Sequence, residues 1–330
     1  MPGTARRSEG NTVGRGKQIN YQAIPEAYRP REQEGAADDA ERSRSTTQEK
    51  DGSKRNLIYP EAPEPLPLPV IDNHTHLDFR DGKLNVSVEQ AVQAAAQVGV
   101  AGLIQVGCDV PSSEFAVRAA QQNPAVLAAV AIHPNDAARL AERGQLDAAI
   151  ERIDELAGQE RVRAVGETGL DYFRTGPEGR PVQEESFRRH IEIARRHGKA
   201  LQIHDRDAHQ DVVRVLRDEP LPPKVVFHCF SGDAQLARIC NENGWYMSFA
   251  GTVSFKNSTG IQDALALADP RLILVETDAP FLTPHPYRGR PNASYMIPYT
   301  LRFMAGHRGA DLEQLCSQVM ANTLEVYGAF

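Results

Sequence analysis

The stretch Val70-Ile-Asp-Asn-His-Thr-His-Leu-Asp78 sets a short apolar strand directly against polar, metal-capable side chains. Residues 70–72 read as the strand, and His74 and His76 follow it. In an extended backbone, residues i and i+2 point to the same side, so these two imidazoles can converge on one ion. The same juxtaposition recurs along the chain. Short, β-branched segments, the pattern of strands buried on both faces, fall at 102–106, 126–131, 162–166, 200–204, 225–228, 245–249 and 272–275. Helical periodicity separates them at 88–97, 112–122, 146–157, 182–196, 207–217, 234–241 and 261–268, with two closing helices at 294–305 and 312–326. Eight strands with intervening helices predict an α/β protein, a (β/α)8 TIM barrel. Strand count alone leaves a doubly wound open sheet as the structural alternative.

The chemistry-bearing residues sit at the strand ends. Glu167 follows the fourth strand, His204 ends the fifth, His228 ends the sixth and Asp278 follows the eighth. In a closed barrel the C-terminal strand ends share one rim, where barrel active sites lie. Six such side chains converging there predict a divalent-metal-dependent hydrolase. Imidazole and carboxylate donors suit zinc or manganese, and magnesium where carboxylates and water dominate. Six ligands exceed one four-coordinate ion with an open position. They suit two divalent ions, Mg2+, Mn2+ or Zn2+: His74, His76 and Asp278 on one, His204 and His228 on the other, Glu167 bridging. Such a pair activates water and stabilises attacking and leaving oxygens. Asp278, beside that water, is the candidate general base, with Glu167 as its catalytic partner.

Length and composition bound the rest. The chain has 330 residues and a formal net charge of −7, which argues against broad electrostatic wrapping of nucleic acid. No apolar run reaches the roughly 18 residues of a membrane span, and Arg6-Arg7 is followed by no apolar segment, so a cytoplasmic address and no membrane partner are expected. Cys108, Cys229, Cys240 and Cys316 form no C-x-x-C pair and read as small buried residues. Residues 1–56 are polar without apolar periodicity and read as disordered. A stiff Pro-rich linker follows, giving an extension over 1–67 and a hydrolase domain over 68–330. On this reading, removal of residues 1–60 leaves activity nearly intact.

At these motifs the chain resembles the TatD family of metal-dependent deoxyribonucleases, within the amidohydrolase-like barrels. The matching strings are DNHTHLD, IHPND, VGETGLDYF, LQIHDRDAH, HCFSG and ETDAPFL, followed by PYRGRPN; they span His74 to Asn292. The resemblance implies a barrel, metal binding at the six residues, and hydrolysis of DNA phosphodiesters, acting on single strands or ends and from an end. Two positions depart from the pattern. Asn135 stands where the family often has a second His, and Asn292-Ala-Ser294 replaces Asn-Glu-Pro. Both bear on substrate contacts rather than on metal binding.

Other rim residues are assigned to substrate. Arg206 lies two residues past His204, and Arg174, Lys256, Arg288 and Arg290 occupy loops after strands, where cations match phosphate oxygens. Of these, Arg206 and Arg288, together with His133 after the third strand, are the candidate substrate contacts. Tyr172, Phe173, Phe230 and Tyr287 are candidate stacking surfaces for unpaired bases. His190, His197 and His307 fall in helical patterns and read as surface residues. The competing readings are a hydrolase of an aminoacyl ester, amide or lactone on the same site, and a nucleic-acid-binding protein without turnover. Glu167, where many such barrels carry a modified lysine, favours the nuclease.

Overall fold

A computed structural model describes residues 19–30, 42–43, 54–82 and 84–330. Eight parallel strands follow one another in chain order: β1 Val70–Thr75, β2 Val100–Val106, β3 Val126–Val130, β4 Val162–Asp171, β5 Ala200–Arg206, β6 Val225–Phe227, β7 Tyr246–Phe249 and β8 Ile273–Val275. A doubly wound sheet reverses its strand order at a switch point. None occurs here. The seam between β1 and β8 is closed by a parallel bridge between Thr75 and Ala279. Asn73 Nδ2 donates to Val275 O across it at 2.8 Å. The sheet is therefore a nearly closed TIM barrel, matching the expectation.

The strands bury both faces because each has an apolar partner on either side. Ile71, Ile104, Leu127, Ala129, Ala164, Val226 and Leu274 form an inner cluster that Tyr327 of the last helix joins. Gln202 Nε2 donates to the Tyr327 hydroxyl at 2.8 Å, which satisfies a polar group inside this layer. A larger outer cluster packs strands against helices. Each fully buried aliphatic side chain in it contributes about 1.5–3 kcal/mol.

Local signals start and stop the helices. Ser87 and Gln90 form a capping box on α1 (Val88–Ala96), and Asp109 with Ser112 does so on α2 (Val110–Gln122). Pro134 opens α3 (Pro134–Glu142), a short helix absent from the periodicity reading. The ring continues with α4 (Leu146–Ala157), α5 (Arg180–His197), α6 (His209–Asp218), α7 (Ala234–Asn243) and α8 (Thr259–Leu267), closed by α9 (Ile297–Arg308) and α10 (Leu312–Tyr327).

Two expectations are corrected. Strand β4 continues past residue 166 to Asp171 through a register shift between Val165 and Thr168, so Glu167 lies within the strand. His190 is buried, not a surface residue. Its Nε2 accepts from Ile132 N at 3.0 Å and its Nδ1 reaches Ser186 O at 2.7 Å. The extension is described only in part. Residues 1–18, 31–41 and 44–53 lie outside the described residues. Residues 19–30, however, pack on the barrel. Ile24 is fully buried, and the Tyr28 ring lies 4.7 Å from that of Tyr59 and 5.1 Å from that of Tyr295. Arg55 forms a bidentate ion pair with Asp81 at 3.0 and 2.7 Å. Two apolar anchors in a polar stretch are too sparse for periodicity to reveal, yet they suffice where a slot awaits them.

Candidate metal centre

The seam that closes the barrel also builds the site. Asp72 Oδ1 accepts from His74 N and Thr277 N at 3.3 and 2.9 Å, and Oδ2 accepts from the Thr277 hydroxyl at 2.6 Å. One buried carboxylate thus sets the backbone on both sides of the seam. Beyond it, Asp278 adopts φ 54°, the left-handed region, and is held there as its N–H donates to His74 O at 2.9 Å. Farther round the barrel, Gly169 at φ 140° lets β4 run against His204 of β5, where a Cβ would stand 2.1 Å from His204 O.

All six expected side chains come together. His74 Nε2 and His76 Nε2 face each other at 3.3 Å. Asp278 Oδ1 lies 3.8 and 3.4 Å from them, and Glu167 Oε1 lies 3.8 and 3.5 Å away. Glu167 Oε2 faces the opposite way, 2.8 Å from His228 Nε2 and 3.0 Å from His204 Nδ1. His74, His76 and Asp278 form one group whose donor atoms could hold an ion; Glu167, His204 and His228 form another.

The donor set fits divalent metals because the tautomers are arranged from outside. His76 Nδ1 donates to Val106 O at 3.0 Å, leaving the Nε2 lone pair aimed inward. Glu276 Oε1 accepts from His228 Nδ1 at 3.2 Å and from Cys229 N at 2.7 Å. Asp171 Oδ2 stands 3.3 Å from His204 Nε2. His76, His204 and His228 each have one nitrogen engaged away from the centre and the other presented to it, as metal-ligating histidines require, whereas His74 Nδ1 is buried without a partner among the described residues.

The electrostatics agree. Burial pushes His228 down, but the carboxylates of Glu167 and Glu276 outweigh it and hold it well above its usual value. Burial alone would raise Glu167; the facing charge of His228 and bonds from His204 and His228 hold it well below the carboxylate range. Asp278 is lowered against its own burial by His76 and His74. Without metal, protons on His76, His204 and His228 offset these carboxylates. That charge arrangement is one a cation can take over.

The chain aligns with a family model described as TatD related DNase over residues 71–328. The chain belongs to the TatD family of metal-dependent hydrolases. It is 42% identical over 266 residues to a Mycobacterium tuberculosis protein described as the uncharacterized metal-dependent hydrolase TatD, covering 78% of this chain and 98% of that one. It is 33% identical over 260 residues to the Escherichia coli metal-dependent hydrolase YcfH, covering 78% and 95%. The crystal structure of YJJV, a TatD homologue from Escherichia coli, superposes with a TM-score of 0.71 at 24% identity, covering 78% of this chain and 97% of that one. This last likeness shows the shared fold. The TatD model starts at residue 71, so the packed N-terminal extension lies outside it.

Within this TatD-family site, the substrate candidates separate. His133 is at the centre, its Nε2 3.8 Å from Glu167 Oε2. Its Nδ1 accepts from Asn135 N at 3.1 Å, so the neutral ring carries its proton on Nε2 and offers a donor there. Burial, then the neighbouring His204, lowers its pKa to about 3, which keeps it neutral. Asn135 itself donates to Asp171 Oδ2 at 3.0 Å and accepts from the Thr175 hydroxyl at 3.0 Å, so this departure from the family pattern serves the support of His204. Arg206 stands over the Phe173 ring at 3.9 Å. Arg288 lies over Phe255 at 4.4 Å and donates to Asn257 Oδ1 at 3.2 Å, on the loop after β7. Arg290 is not brought to the centre. It donates to Ile58 O and Tyr59 O at 2.7 Å each, tying the extension to the last rim loop.

Four contributors were not legible as site residues. Asp72, Asp171 and Glu276 hold the backbone or rings of candidate ligands, and Cys108 places Sγ 3.2 Å from Glu167 Oε1. Each sits within two positions of a ligand or at a strand end, and that proximity was the available signal. Among the described residues, no helix is long and apolar enough to cross a membrane.

Proposed function

We propose that the chain is a divalent-metal-dependent deoxyribonuclease that trims DNA from an end, with two ions held by His74, His76, Glu167, His204, His228 and Asp278. The observation that carries this reading is the division of Glu167: one oxygen faces His74 and His76, the other His204 and His228. A carboxylate so placed suits a bridge between two positions, the arrangement that serves in-line displacement at phosphorus. When bound, divalent ions supply Lewis acidity, polarising phosphoryl oxygens and lowering the pKa of water.

The protein side of the chemistry follows from placement. Asp278 has the more open side chain of the two central carboxylates, 14% exposed against 6% for Glu167. It takes the proton of the attacking water. His133, neutral with Nε2–H facing the centre, donates to a phosphoryl oxygen. Arg206 has no carboxylate partner among the described residues and is free to neutralise a flanking phosphate, with Arg288 on the far side of the rim. The family model's description as a DNase supports the same substrate.

The test uses single-stranded DNA labelled at the 3′ or 5′ end, incubated with Mg2+, Mn2+ or EDTA. Metal-dependent shortening that disappears in Glu167→Ala and Asp278→Ala supports the proposal. Hydrolysis of an ester, amide or lactone panel with DNA left intact overturns it. Binding of DNA without turnover under any metal overturns it in favour of a binding protein.

A further inference from the structure

Of the four candidate stacking side chains Tyr172, Phe173, Phe230 and Tyr287, only Phe173 is largely exposed. Phe230 is buried at 1% exposure, whereas Phe173 is 61% exposed. Tyr172 is committed elsewhere: its hydroxyl donates to Asp211 Oδ2 at 2.8 Å and Arg180 covers its ring at 4.0 Å. Tyr287 packs against Tyr299 at 5.4 Å. A single exposed ring is ordinary on a protein surface and means nothing alone; this one follows the end of β4 and is paired with a guanidinium from the end of β5.

The ring is also held in place. The Arg206 guanidinium lies 3.9 Å from its centroid. Arg206 makes no ion pair and no side-chain hydrogen bond with any described residue, so its principal contact is this ring. The backbones fix the pair: Asp171 and Arg206 are register partners at the ends of β4 and β5, and Tyr172 N donates to Arg206 O at 2.9 Å. Arg206 and His204 share one face of β5, two residues or roughly 6.6 Å apart along the strand. The platform thus begins about one extended nucleotide from the metal-facing imidazole of His204.

We propose that Phe173 and Arg206 form a stacking platform for one unpaired nucleobase next to the scissile phosphate. The inference rests on the nuclease reading above. A phenyl face takes any base, because every base has a π-face, and the guanidinium adds cation–π attraction and a donor for the adjacent phosphate. A paired base is already stacked within its duplex and cannot present that face, so the platform selects frayed ends and single strands. It gives no preference among the four bases.

The experiment compares the metal-loaded wild type with Phe173→Ala, Phe173→Trp and Arg206→Ala on oligo-dT and on an abasic oligonucleotide of equal length. The platform predicts that Phe173→Ala raises KM for oligo-dT by roughly 5- to 100-fold, as loss of one stacked base does, with kcat within about twofold. It predicts no change on the abasic strand. Phe173→Trp restores KM, and its added fluorescence is quenched by oligo-dT; the native Trp245 is buried and does not report. Arg206→Ala weakens both substrates, since it also meets the phosphate. If Phe173→Ala handles oligo-dT and the abasic strand as the wild type does while both are cut, the platform is wrong and the nuclease reading stands. If neither strand is bound or cut by the wild type in any metal, the nuclease reading fails first.

Discussion

Asp72 and Thr277 lie 205 residues apart in sequence and are joined by two hydrogen bonds, 2.9 Å from the Thr277 backbone and 2.6 Å from its hydroxyl. This contact closes the barrel at the point where His74 and Asp278 emerge. Burial lifts the Asp72 pKa to about 7 despite those bonds. Removing the acceptor in Asp72→Ala leaves two buried N–H groups unmet, at about 1–3 kcal/mol each. The expected result is a several-degree drop in Tm together with weaker metal binding. Asp72→Asn keeps an acceptor for both N–H groups and a donor for the hydroxyl, so it retains most of both. Equal loss in the two variants would show that charge rather than bonding geometry matters there.

Glu276 governs His228 from behind. In Glu276→Ala the imidazole loses its Nδ1 partner and Cys229 N its acceptor. Metal affinity should fall by about 10- to 100-fold, as it does when such supporting partners are removed. Isothermal titration of the chelated protein reads this directly; unchanged affinity would show that packing alone holds the ring.

Metal binding should release protons. In the metal-free protein His76, His204 and His228 are raised against burial by facing carboxylates. A raised histidine stabilises the metal-free fold below about pH 6.5, and that contribution is lost as pH rises through its folded pKa. Glu167 and Asp278, which are lowered, contribute above about pH 4 and lose it as pH falls through theirs. A divalent ion must displace the imidazole protons, so affinity rises with pH through the neutral range. Titrations in two buffers of different ionisation heat at pH 6.5 count the protons; a count of zero contradicts this charge arrangement.

Truncation separates the two parts of the extension. Deleting residues 1–18 should leave Tm and activity near wild type. Deleting residues 1–60 removes Ile24, Tyr28 and Tyr59 from the core and takes Arg55 from Asp81. Burial of Ile24 alone is worth roughly 2 kcal/mol. It also frees Arg290, whose acceptors are Ile58 O and Tyr59 O, so the rim loop loosens and KM rises. Equal behaviour of the two truncations in thermal melts would show that the extension is a passive tail, as its composition alone suggests.

These cases show where the sequence was informative. Strand order and the six convergent side chains were legible because each ligand ends an apolar, β-branched run, and a barrel turns that local fact into one site. The bulged continuation of β4 was not, because the register shift at Val165 and Thr168 depends on β5 beside it. Nor was the burial of His190, whose neighbours come from another strand end. Glu276 reads as one more acid beside a Thr-Asp pair until His228, 48 residues away, is brought against it.

The most direct test of a two-ion nuclease centre titrates chelator-treated protein with Mn2+ while bound metal and cleavage of end-labelled single-stranded DNA are followed in the same samples. Two ions per chain are expected, with cleavage rising as the second position fills, and neither second ion nor cleavage in Glu167→Ala. Two bound ions with intact DNA, or full cleavage by the Glu167→Ala variant, would contradict it.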